Sequence, residues 1–163
     1  RWKRPDIKSV SLLANVLAKQ EAADADAYEA WFIDEKGFIT EGTSSNAWIV
    51  DADGALRTRP LSRDILAGIT RETLIRLARE AGVEVKEEPF TLAEAQKARE
   101  AFTTSTTVGV MPVVEIDGRP IANGAPGSIS GKLLRLYREH LARFAPDPER
   151  ALARMLKDAQ ELA

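Results

Sequence analysis

Phe38-Ile39-Thr40-Glu41-Gly42-Thr43-Ser44-Ser45-Asn46-Ala47-Trp48-Ile49-Val50 reads as two short strands, Phe38 to Glu41 and Ala47 to Val50, separated by small polar residues. A carboxylate followed by a glycine and four small polar residues is poor material for an ordinary tight hairpin. It suits a backbone that comes close to a polar ligand, with hydroxyls and a negative charge facing it. Outward from this stretch, Tyr28 to Ile33 reads as an earlier strand and Glu35-Lys36-Gly37 as a turn. On the other side, Asp51-Ala52-Asp53-Gly54 turns the chain into a further strand, Ala55 to Thr58. The centre of the chain is therefore a meander of short strands.

The flanks change period. Pro5 biases Arg4 away from helix, which predicts an extended segment or short strand around Asp6-Ile7-Lys8. Leu13, Val16, Leu17 and Gln20 recur at helical spacing and predict a helix from about Ser11 to Ala25. Leu74, Leu77, Ala78 and Ala81 do the same after Pro60, with Gly82 as the stop. Val83 to Lys86 alternates as a strand, and Thr91-Leu92-Ala93-Glu94 is a capping box opening a helix that ends near Glu100. Strands are predicted over Ala101 to Thr107 and Val110 to Ile116, with Asp117-Gly118 as a hairpin turn. Ser128 to Arg143 reads as a helix, and Leu152, Met155, Leu156, Ala159 and Leu162 mark another beyond Pro146-Asp147-Pro148. Helices and strands mix without strict alternation, so an α+β fold is expected over a doubly wound sheet.

Composition narrows the function. A chain of 163 residues, 44% apolar and 29% charged, suits one globular domain with a sizeable core. The formal charge of −2 argues against nucleic acid as a partner, since no excess of Lys and Arg stands ready for phosphates. The absence of Cys rules out disulfides and thiolate metal sites, and the single His140 argues against a His-based metal cluster or a Ser-His-Asp triad. No apolar run is long enough to span a membrane. The chain begins at Arg1 without an initiator Met, so a longer parent protein is expected.

Taken singly, the candidate site residues have ordinary readings. Lys8 alone is a surface charge, although its setting among Ile7, Val10, Leu12 and Leu13 is apolar. Apolar surroundings lower a lysine pKa and favour the neutral amine that Schiff-base chemistry needs. Glu41 alone is a hairpin-end acid, or the partner of a cationic group such as a protonated heterocycle nitrogen. Gly68-Ile69-Thr70 is either a Thr N-cap or an anion site made of free amides at a helix start. Ser105-Thr106-Thr107 is either a Thr-rich strand or a set of phosphate-binding hydroxyls, to which Arg1 can add a charge-assisted contact. Together, an amine, an acid and a separate phosphate cradle describe one ligand, pyridoxal 5′-phosphate.

The set resembles the fold-type IV pyridoxal-phosphate enzymes, and within them the D-amino-acid aminotransferases most closely. The resemblance runs from Arg1 to about Tyr137. Arg1-Trp2-x-Arg4-x-Asp6-Ile7-Lys8-Ser9 resembles the family's catalytic-lysine segment, and Thr40 to Asn46 its pyridine-nitrogen loop. Ile65 to Arg71 resembles its phosphate-binding turn, and Ser105-Thr106-Thr107 with Met111-Pro112-Val113 its second phosphate strand. The resemblance implies a C-terminal cofactor domain with a short-strand, barrel-like sheet and flanking helices, over residues 1–145, and a helical extension over 146–163. The family's additional N-terminal domain, which closes the site and contacts the substrate carboxylate, is expected to be missing. It implies that Lys8 forms the Schiff base and shuttles a proton, and that Glu41 pairs with the ring nitrogen. Arg1, Ile69, Thr70 and Thr106 would hold the phosphate, Leu66 would pack on the ring, and Ser44 would lie close to it. The implied reaction is transamination between a D-amino acid and a 2-oxo acid in a cytoplasmic homodimer, without metal. Aminodeoxychorismate lyases, branched-chain aminotransferases and R-selective amine transaminases share the same elements and stand as alternatives. A further alternative is a chain that binds cofactor and catalyses nothing.

Overall fold

The computed structural model describes residues 4–10 and 12–144. Its elements, in chain order, are α1 (Leu13–Asp24), β1 (Trp31–Ile33), β2 (Ile39–Gly42), β3 (Asn46–Val50) and β4 (Leu56–Thr58). There follow α2 (Ile69–Glu80), β5 (Val85–Glu87), α3 (Leu92–Gln96) and β6 (Glu100–Ser105). The last are β7 (Gly109–Val113), β8 (Glu115–Ile116), β9 (Arg119–Pro120) and α4 (Ser128–Ala142). Arg1, the extension over 146–163 and the apolar face from Leu152 to Leu162 lie outside the described residues.

The architecture is α+β, a largely antiparallel sheet with flanking helices. The sheet branches at β3. Strand β2 pairs with its first residue, Glu41 opposite Asn46, and β4 with its later ones, Trp48 opposite Thr58. Along its other edge β3 pairs with β6 over its whole length, from Asn46 opposite Thr104 to Val50 opposite Glu100. One pairing is parallel: β4 and β5 lie side by side with Leu56 opposite Val85, and α2 makes the crossover such a pair requires. The alternation missing from the chain as a whole is thus present in this single unit.

Strand β3 is buried on both faces, which is why Ala47-Trp48-Ile49-Val50 carries no polar residue. Trp48 and Val50 face one core with Leu56, Phe102, Leu74, Ala78, Leu133 and Tyr137, drawn from α2 and α4 as well as the sheet. Ala47 and Ile49 face another with Ile39, Phe90, Ala95, Ala101 and Ile121, on the side of α3. Trp48 and Phe102 are cross-strand partners, and their rings stack with centroids 5.6 Å apart and 11° between planes. The Trp48 indole also donates to Thr104 Oγ1 at 2.9 Å, so its one polar atom is satisfied inside the core.

Local signals explain the boundaries. Thr91 and Glu94 form the capping box expected of them, and α3 stops at Gln96, because Glu100 belongs to the next strand. Glu100 has a second use: its carboxylate accepts the Ile129 and Ser130 amides at 2.8 Å each, capping α4 from the sheet. Asp117 and Gly118 both take positive φ, 52° and 72°, as a two-residue hairpin turn between β8 and β9 requires. Where a short strand or extended segment is expected around Asp6-Ile7-Lys8, a turn from Arg4 to Ile7 comes first, and Lys8 follows it outside any strand. The Ile7 amide donates to the Arg4 carbonyl at 3.1 Å, and the Arg4 guanidinium grips the Asp6 carboxylate with two bonds of 2.9 Å. Pro5, at the second position of that turn, has the φ that the turn needs.

Candidate active site

Seven of the candidate residues line one cavity of about 160 Å³: Lys8, Glu41, Ser44, Leu66, Ile69, Thr70 and Thr106. Arg1, the eighth, lies outside the described residues. Gly68, Asn46, Thr104 and Ser105 complete much of the wall. A second cavity of about 860 Å³ lies against α1 and the β1–β2 turn, and Asn15 and Glu41 line both.

Glu41 sits on β2, 4% exposed. Its Oε2 accepts the Leu66 amide at 2.7 Å. Asn46, its cross-strand partner, donates its side-chain amide to the Leu66 carbonyl at 3.0 Å. Two cross-strand neighbours therefore hold one residue of the loop before α2, Leu66, by its amide and its carbonyl. That grip fixes where α2 begins. Gly68 is the N-cap of α2, and a Cβ there would stand 2.2 Å from Asn46 Oδ1. The loop can lie this close to Asn46 only because residue 68 lacks a side chain.

The start of α2 has no side-chain cap, whereas α3 has its capping box and α4 the Glu100 carboxylate. Gly68, Ile69 and Thr70 line the cavity, so the amides at this end and the positive end of the helix dipole belong to its wall. The Thr70 side chain is buried, its hydroxyl 3.3 Å from the Tyr137 hydroxyl on α4. The expected strand through Thr107 ends at Ser105, and Thr106 and Thr107 lie in the turn into β7. Thr106 is exposed there, with Ser105 Oγ and Thr107 Oγ1 3.1 Å apart.

Two expectations change. Lys8 is exposed, and Ile7 and Val10 beside it in sequence are exposed as well, so its sequence neighbours do not build an apolar pocket around it. The Glu41 loop also differs from the first reading of its composition. The hydroxyls of Thr43, Ser44 and Ser45 converge on an internal carboxylate, Glu29, at 3.0, 3.2 and 2.6 Å, and the Ser44 amide joins them at 2.8 Å. Ser44 and Ser45 still contribute to the cavity wall. Gly42 makes room for this carboxylate, since a Cβ there would lie 2.7 Å from it.

Glu29, Asn46 and Tyr137 support the site without being candidates from the sequence. The first two had signals. Glu29 falls on the face shared by Trp31 and Ile33, where an apolar residue was due, and Asn46 opens a buried strand although Asn is depleted in strands. Tyr137 had none, because on the amphipathic α4 it counts as one more apolar position.

Residues 1–116 match the family model for amino-transferase class IV. The D-alanine aminotransferase of Bacillus licheniformis is 45% identical over 130 residues, 80% of this chain and 45% of that protein. The crystal structure of the branched-chain amino acid aminotransferase from Thermobaculum terrenum in its PLP form superposes with a TM-score of 0.79 at 38% identity. That match covers 83% of this chain and 45% of the other. The branched-chain amino acid aminotransferase from Escherichia coli gives 0.73 at 32% identity, over 76% of this chain and 42% of that one. The chain spans about half the length of the curated relatives it matches. It belongs to the class IV aminotransferase family, with the fold of the fold-type IV enzymes.

Proposed function

We propose that this chain is the cofactor-binding part, over residues 1–145 with 146–163 as an extension, of a pyridoxal-phosphate aminotransferase. The observation that carries the reading is the meeting of Lys8, Glu41 and the uncapped start of α2 on one cavity. The donor set fits the cofactor: a primary amine, a buried carboxylate, and amides with hydroxyls suited to a phosphate. The close approach of loop and sheet at Gly68 keeps the helix start next to the Glu41 wall.

Bound pyridoxal 5′-phosphate supplies an aldehyde that captures amino groups and a ring that takes up the electron pair left when an α-proton departs. Lys8 would hold the group through its Nζ and would supply the amine that moves a proton at the substrate α-carbon. Glu41, itself buried, would be the carboxylate that holds the ring nitrogen. The Leu66 amide steadies that carboxylate, and the Leu66 side chain on the cavity wall would pack against the ring. Ile69, Thr70 and Thr106 would hold the phosphate, with Arg1 as a further contact, and Ser44 would lie close to the ring.

The substrates in this reading are a D-amino acid and a 2-oxo acid, and the working unit is a cytoplasmic homodimer. The D-alanine aminotransferase of B. licheniformis supports the D-amino-acid side. The branched-chain enzymes among the solved neighbours support a second reading, transfer from an L-branched-chain amino acid. An absorbance spectrum with added cofactor tests the common core. A visible band that vanishes on borohydride reduction and is lost in Lys8→Ala is the expected result; no uptake by wild type overturns it. Turnover of D-alanine against L-leucine, each with 2-oxoglutarate, then separates the two substrate readings.

A further inference from the structure

The geometry points to Glu29 as a positioning residue, whose carboxylate shapes the loop over residues 42–45 and through it sets Glu41 and Asn46 against Leu66. For its effect on the cofactor this rests on the proposed function; its effect on the loop does not. Glu29 stands outside the cavity wall, before β1, and does not touch the ring or phosphate positions argued above. Its two carboxylate oxygens accept four hydrogen bonds from three consecutive loop residues. Three of these end on Oε1, and the Ser45 hydroxyl on Oε2.

Other contacts also define the loop, beginning with Gly42, which ends β2 and pairs with Trp31 of β1. The Gly42 amide closes the turn on the Ser45 carbonyl at 2.8 Å, the Thr43 amide reaches the Ala30 carbonyl at 3.1 Å, and Asn15 donates to the Thr43 carbonyl at 2.8 Å. Glu29 is the group that binds residues 43, 44 and 45 at once. Glu41 and Asn46 are the residues on either side of this loop, and they face each other across its ends. The loop thus joins two residues that grip the same residue, Leu66, one at its amide and the other at its carbonyl. The small residues of the loop answer to this arrangement: Gly42 admits the carboxylate, and three hydroxyls saturate it.

A carboxamide keeps most of the pattern. Glu29→Gln still presents an oxygen where Oε1 accepts three bonds, and its NH2 can donate to the Ser45 hydroxyl, which accepts as readily as it donates. Glu29→Ala removes the acceptor and leaves the donors to water.

The test measures two quantities on wild type, Glu29→Ala and Glu29→Gln. In the ligand-free protein, hydrogen exchange is followed in peptides covering residues 42–46 and 64–68, with β3 and β6 as the internal standard. Pyridoxal 5′-phosphate affinity is followed by its absorbance. Glu29→Ala is expected to speed exchange in both peptides, to leave β3 and β6 unchanged, and to weaken the cofactor by about tenfold, the scale of hydrogen bonds to a charged group. Glu29→Gln is expected to restore both to within about threefold of wild type, since a carboxamide keeps the acceptor. Faster exchange confined to residues 42–46, with residues 64–68 unchanged, overturns the inference and leaves Glu29 a local loop anchor. If Glu29→Ala does not fold, Ser45→Ala with Thr43→Val removes donors instead and is read the same way. Failure of wild type to take up cofactor refutes the proposed function while the exchange comparison still decides the role of Glu29.

Discussion

Leu66 illustrates how a site can depend on a residue whose side chain does only part of the work. Its amide and carbonyl are held by Glu41 and Asn46, and the space for that grip comes from Gly68. Replacing Gly68 by Ala puts a carbon 2.2 Å from the Asn46 amide oxygen, so either the Asn46 side chain turns away or the loop lifts. The φ of Gly68, −76°, is open to any residue, which makes the clash the sole objection to a side chain. Gly68→Ala is therefore expected to weaken cofactor binding by about tenfold through the lost Asn46 bond and the displaced helix start. Thermal unfolding of the ligand-free protein should move little by comparison, and an equal loss in both would place the damage in folding. At this scale the sequence revealed which residue types belonged together, an amine, an acid and an uncapped turn. It marked Glu29 and Asn46 only as polar misfits in their strands, because a polar side chain that serves its own backbone and one that serves a ligand look alike in a string of letters.

Several polar contacts tie α2 to the strands and loops beside it. Arg71, 2% exposed, passes from α2 to the strand beside it, donating to the Arg59 carbonyl and to Glu87 at 2.8 Å each. Glu87 ends β5, and Arg79 reaches its other oxygen at 3.3 Å. The hydrogen bond from the Arg71 guanidinium holds the Glu87 carboxyl below its ordinary value of 4.5, against the upward push of partial burial. The sign follows directly. A carboxyl with a lowered folded pKa contributes stability that is fully present above 4.5 and is lost as pH falls through the folded value. Glu87→Gln should thus destabilise the protein at neutral pH, and the gap to wild type in urea midpoint should narrow steadily once pH drops below 4.5. A gap that stays constant to low pH would mean the ion pair contributes through shape and not through charge. Element types were legible throughout this region, from the periodicity of α2 to the Thr91 capping box. Ends were less so: β6 was expected to run two residues past Ser105, since β-branched residues favour strand and nothing local announces that Thr106 and Thr107 turn.

At the scale of the molecule, order is unevenly distributed, and α1 is the clearest case. The spacing of Leu13, Val16 and Leu17 that predicts the helix would ordinarily mark a face packed on a core. In the structure all three are about half exposed or more, and Ala22 is the one fully buried residue of the helix. Periodicity reports that a helix has an apolar face; it carries no information about what covers that face. The opposite holds for β3, a short apolar strand that the structure buries on both sides. Among the described residues, α1 reaches the site through Asn15, which holds the Thr43 carbonyl. An element with so little buried apolar surface opens at low free-energy cost, whereas the β3–β6 pairing opens only near global unfolding. Amides of residues 13–24 are therefore expected to exchange about a hundredfold faster than those of β3 and β6 in this chain. Cofactor should slow them only modestly, because the contact it stabilises is a single side chain. Protection of α1 equal to that of β3 in solution would show that its Leu13, Val16 and Leu17 face is covered, and the exposure of that face would then need a different account.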